Sequence, residues 1–213
     1  MSIESSKNGC RLILLVAVII GLLAGWVRAW YFGRPFAIPE FRLSWLSAVA
    51  FLPQWLAFFL GPTRKLFTDK GAALALVGSQ LLLSGFGLAN CHHPGVKLLT
   101  LGLFMNLSVI TANGGLMPIS PETVRRLAPE LPDSHWKIGQ RFGHSKDRII
   151  PEFNTSLAWL SDRFVFSSRL PYRVAYSVGD LLIAAGACWF LWSAGGAYHK
   201  NRWINRKESM KGL

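Results

Sequence analysis

The chain of 213 residues is predicted to be an all-α, polytopic transmembrane helical bundle of about five helices, with a small polar lobe between helices four and five. Three observations lead there. Hydrophobic residues make up 51% of the sequence and charged ones only 16%, and the mean hydropathy is +0.31, a poor composition for a water-facing surface. The charges are clumped: Leu12 to Val27 and Ala72 to Gly78 carry none, whereas Glu122 to Arg173 carries many. Nine Trp and fourteen Phe lie largely in or beside apolar runs, as aromatic anchors at a headgroup boundary do.

The predicted spans are residues 12–30, 44–61, 71–89, 96–113 and 172–192, with a lobe at 114–171 and a basic tail at 193–213. The first run is longer than a signal-peptide core, and no small-x-small cleavage site follows, so it reads as a retained span. Gly21 and Gly25 within it would let a neighbouring helix approach closely. Gly33, Pro35 and Pro39 then break the chain before the second span, whose centre holds Pro53 and Gln54. A proline there removes a backbone donor, so a kink is expected, its freed carbonyl met by a neighbour or by Gln54. In the third span Gln80, Ser84 and Gly87 share one face, a stripe that suits helix packing.

His92 and His93 sit beside Cys91 in the next turn, where a haem, pigment or metal is conceivable. Adjacent residues on a regular element diverge, however, and no further ligands are placed by spacing. No cofactor and no metal site is implied. Cys10, Cys91 and Cys188 are too scattered for a disulfide framework. A net charge of +12 would suggest nucleic acid in a soluble protein. Here Lys and Arg flank the apolar runs, so the expected partners are anionic lipid headgroups, with other membrane subunits or further copies of the chain, and no nucleic acid. Basic residues near span ends are nearly balanced between the two faces; the reading leans to a cytoplasmic N-terminus, against which the basic tail argues.

In the polar lobe, Ser120 followed by Pro121 and Glu122 is a helix start. A second short helix is expected at Thr155 to Ser161. These pieces are too small for a core of their own, so the lobe should dock onto the bundle.

The candidate polar site comprises Asn106, Asn113, Gly114, Gly115, Met117, Pro118, Arg173, Tyr176, Ser177 and Asp180. Asp180 is the one acidic residue within a predicted span. At a helix centre it costs roughly 2.5 to 3.5 kcal/mol on insertion scales, several times what one leucine returns, so it wants a partner or a purpose. Arg173, Tyr176, Ser177 and Asp180 fall at helical spacing and would form a stripe. Asn106 and Asn113 share a face with Gly102, and Gly114 with Gly115 can adopt positive φ, exposing amides to an anion. Spans four and five meet at that end, so these groups converge as a pocket or as a purely structural network. No Ser-His-Asp, H-E-x-x-H, P-loop or C-x-x-C pattern is present, and no catalytic class is favoured.

Residues Asn106 to Pro121, with Asn113-Gly114-Gly115-Leu116-Met117-Pro118 at their centre, resemble the signature loop of a small uncharacterised bacterial membrane-protein family marked by N-G-G-x-M-P. Tyr176 to Gly186 is similar to that family's S-x-G-D-x-x-I-x-x-G pattern at the start of its last helix. The likeness covers the second half of the chain; the first three spans match in hydropathy only. It implies a multi-pass protein of a bacterial inner membrane and brings no activity with it. Two functional readings follow. One is a non-enzymatic bundle, an accessory subunit or small-molecule handler; the other is a membrane enzyme or permease whose Asp180 end binds a proton or cation.

Overall fold

The computed structural model describes residues 9–166 and 173–196. Residues 1–8, residues 167–172 with Tyr172 at the expected start of the last span, and the tail beyond residue 196 lie outside them. Five apolar helices dominate: α1 (Gly9–Tyr31), α2 (Ser44–Gln54), α4 (Asp69–Ala89), α5 (Val96–Ala112) and α7 (Val178–Ala194), with α3 (Gly61–Arg64) a single turn between α2 and α4. Two segments, Ile13–Tyr31 and Asp69–Ala89, are long and apolar enough to cross a membrane. Ser44–Phe59, Val96–Ala112 and Val178–Ala194 are shorter apolar helices. The expectation of five full spans is thus reduced to two helices of spanning length. Seventeen residues rise about 25 Å, less than a hydrocarbon core of about 30 Å.

The two helices of spanning length are largely unenclosed. Only 17% of the first segment and 33% of Asp69–Ala89 is buried, whereas the core helix of a soluble protein would be enclosed. Leu23, Trp26 and Trp30 of α1 are each more than half exposed. Apolar surface on this extent is stable against lipid.

The helices pack in the spatial order α1, α7, α5, α4, α2. Gly21 lies against Cys188 and Gly25 against Leu191, so the expected close approach takes place between α1 and α7, running parallel. Residues 32–43 cross the far end: Ala37 N–H donates to Ala194 O at 3.4 Å, Phe41 packs on Phe86 and Phe190, and Asn90 exchanges hydrogen bonds with the Arg42 backbone at 2.8 and 2.9 Å. Pro53 lies inside α2, which passes into a π-helical turn at Trp55–Phe59. In that turn the Leu56 carbonyl accepts from the Thr63 hydroxyl at 2.7 Å; the carbonyl that Pro53 frees is that of Val49, four residues earlier, and Gln54 does not meet it, its Nε2 being buried without a partner.

All-α is also too strict. Four strands of three residues form two small sheets: β1 (Met117–Ile119) pairs parallel with β2 (Asp147–Ile149), and β3 (Phe164–Phe166) pairs antiparallel with β4 (Val174–Tyr176). Between them α6 (Pro121–Leu127) starts as expected, with Ser120 Oγ accepting from Thr123 N–H at 3.1 Å. Thr155 to Ser161 contains only a 3-10 turn at Ala158–Leu160. Contrary to expectation the lobe has a small core of its own, in which Ile119, Val124, Leu127, Phe142 and Ile149 are buried. It nonetheless docks. Arg141, 5% exposed, reaches Asp69 at the start of α4 at 3.6 Å and lies over the Phe58 ring. Burial pulls its guanidinium below the usual range, opposed first by the charge of Asp69.

Candidate functional site

Asp180 does not sit at a helix centre. Ser177 is the N-cap of α7 and Asp180 its third residue, joined in a capping box: Asp180 N–H donates to Ser177 Oγ at 3.0 Å, and Ser177 N–H donates to Asp180 Oδ2 at 3.3 Å. A carboxylate in the first turn faces the positive end of the helix dipole, which removes much of the penalty that a mid-span acid would carry. The residues before it, Val174–Tyr176, are extended, so the proposed helical stripe does not exist. Arg173 points elsewhere and pairs with Glu130 at 3.5 Å. Tyr176 stacks on Phe164 with ring centroids 5.6 Å apart. What the helical reading missed is that the capping serine starts the helix later than hydropathy does.

Asn106, from the middle of α5, completes the joint. Its Nδ2 donates to Asp180 Oδ1 at 2.8 Å, and its Oδ1 accepts from the Ser177 hydroxyl at 3.0 Å. All three side chains are buried. Close helix approach makes this possible. A Cβ on Gly102 would stand 2.9 Å from Ile183 N, and one on Gly179 would collide with Asn106 itself.

At the end of α5, Asn113 Nδ2 donates to Val109 O and to Ser156 O at 2.7 and 2.8 Å, while its Oδ1 accepts from Ser156 N–H at 2.9 Å. Asn113 therefore ties the helix end to the lobe and does not join Asp180. Gly114 and Gly115 have φ of +80° and +87°, as expected. Their amides are not bare: they donate to Thr111 O and Ile110 O at 3.4 and 2.8 Å, which makes the pair a helix C-cap and not an anion cradle. Gly115 also lets the chain pass against Ala73 of α4. Met117 is fully buried in the cluster of Leu76, Val109, Ile110 and Leu116, and the Pro118 carbonyl accepts from Asp162 N–H at 3.2 Å.

Two members of the constellation were not foreseen. β1 leaves the end of α5 with Lys146 on one side, whose carbonyl accepts from Met117 N–H at 3.0 Å, and Asp162 on the other. The two meet above α7. Lys146 Nζ lies 2.9 Å from Asp162 Oδ2 and 3.9 Å from Asp180 Oδ2. Asp162 is 1% exposed, Asp180 7% and Lys146 25%. One ammonium thus bridges a lobe carboxylate and a bundle carboxylate. Elsewhere on the lobe, a polar cleft of about 370 Å³ is lined by Arg126 and Arg163 together with Glu122 and Glu152; Arg163 and Glu152 are paired at 3.2 Å.

His92 and His93 depart from the expected divergence, their ring centroids lying 4.0 Å apart in the turn. His93 is wedged edge-on against Phe41 and Phe190. Its imidazole is held below its usual range by burial and then by His92. Among the described residues no three His, Cys, Asp or Glu side chains group as a metal site would require.

A model described as a family of unknown function (DUF5317) matches residues 39–192, and the chain belongs to that family. The matched stretch runs from just before α2 into α7 and contains every residue of the joint. No curated protein and no solved structure matches the chain.

Proposed function

We propose that this member of the family is a multi-pass, non-enzymatic membrane bundle of a bacterial inner membrane. In this reading all five apolar helices cross the bilayer, the three shorter ones by local thinning or snorkelling of their flanks. The lobe is a cap locked onto one end. Lys and Arg at the helix ends meet anionic headgroups, and the exposed helix faces meet lipid, other membrane subunits or further copies of the chain.

One observation carries the non-enzymatic reading. The polar atoms of Asn106 and Asp180 already serve each other, Ser177 and Lys146. Side chains whose hydrogen-bonding capacity is spent inside the protein make a joint, whereas a reacting group keeps capacity for its substrate. The charge-neutral cleft on the lobe offers a place for a small polar molecule, in keeping with a handling or accessory role.

The test is Asp180→Asn, which retains the shape and loses the charge. Its expected result is a reduced yield of folded, membrane-inserted protein and a lower unfolding temperature. Normal yield and stability with loss of a cellular phenotype would instead favour the enzyme or permease reading.

A further inference from the structure

Lys146 brings one positive charge to two buried carboxylates, and a third, Asp147 on β2, contributes to their field. With Lys146, Asp162 and Asp180 all ionised, these three alone carry one net negative charge, before that of Asp147 is counted, around two carboxylates nearly closed to water, which is expensive. One proton would remove it. Both oxygens of Asp180 already accept hydrogen bonds, from Asn106 and from Ser177 N–H, in the first turn of α7. Asp162 has the ammonium on Oδ2, while its Oδ1 is buried with no hydrogen-bond partner.

We propose that Asp162 is a proton-binding site of the docked lobe, protonated at neutral pH, and that loss of this proton loosens the lobe from the end of the bundle. The inference builds on the joint described above but concerns its charge state, which the joint itself leaves open. Burial pushes the Asp162 carboxyl well above the usual carboxylate range; Lys146 opposes this, and the charges of Asp180 and Asp147 reinforce it.

The sign follows from linkage. A carboxyl whose value is raised in the docked state favours docking fully below its ordinary range, and that contribution is lost as pH rises toward the raised value. Within that window the docking equilibrium should weaken by up to about tenfold per pH unit.

Infrared spectroscopy of the purified full chain in nanodiscs tests the proton directly. The expected result is a protonated-carboxyl C=O band at neutral pH that vanishes in Asp162→Asn. The second arm is limited tryptic cleavage at exposed Lys137, normalised to an unstructured peptide at each pH. Cleavage should accelerate with pH in the wild type and remain flat in Asp162→Asn, which is neutral at every pH. An unchanged carboxyl band in Asp162→Asn, or a cleavage profile that still follows the wild type, would overturn the proposal. Either outcome leaves the joint itself standing, because the joint is tested by the yield of Asp180→Asn.

Discussion

Asn106 occupies the centre of the α5–α7 joint because an amide offers both a donor and an acceptor, and the joint needs one of each: Nδ2 for Asp180, Oδ1 for the Ser177 hydroxyl. Asn106→Ala should therefore destabilise the fold by about 1 to 3 kcal/mol, the range for leaving buried partners unmet, read from thermal unfolding in detergent. Lys146→Met removes the ammonium that bridges Asp162 and Asp180 and should cost more, about 3 to 5 kcal/mol at neutral pH. Asn106 and Asp180 were legible in the sequence because a polar side chain in an apolar run stands out. Lys146 and Asp162 were not, because both come from irregular chain where no period ties charge to position; only the strand pairing around β1 brings them over α7. Helical spacing misplaces Arg173 because Val174–Tyr176 are extended.

Helix packing turns on where glycine is needed and where it is not. On α5 and α7, Gly102 and Gly179 bring the two backbones together, and a Cβ on Gly179 would run into Asn106. Gly78 and Gly85 of α4 have nothing within 4 Å of a built Cβ. Gly179→Ala should lower the unfolding temperature and disturb the joint, whereas Gly78→Ala should hold or raise it, as alanine favours a helix by up to about 1 kcal/mol over glycine. Equal effects would contradict the packing described. Hydropathy located all five apolar helices, since a long apolar run is visible without knowledge of its partners. Their ends were less legible: α7 begins at Val178 because Ser177 caps it, and α2 continues through a π-helical turn. The strands β1 to β4 left no alternation to read at three residues each.

Taken together, the molecule is a row of helices in the order α1, α7, α5, α4, α2, with the lobe fastened at one end by Asn113, Arg141 and Lys146 and residues 32–43 crossing the other. If all five helices cross the bilayer, the turn at Leu66 and the lobe lie on one side, and the loop at Arg34 and the turn at Cys91 lie on the other. Side-specific cysteine labelling decides this. Cys10 and Cys188 are replaced by alanine, and a single thiol is placed at Leu66→Cys, Ser134→Cys or Arg34→Cys with Cys91 removed, or left at Cys91 alone. Each variant is exposed to a membrane-impermeant maleimide in intact cells and in inverted vesicles. The five-crossing bundle requires the thiols at 66 and 134 to label from one side and those at 34 and 91 from the other. Labelling of all four from the same side would contradict it.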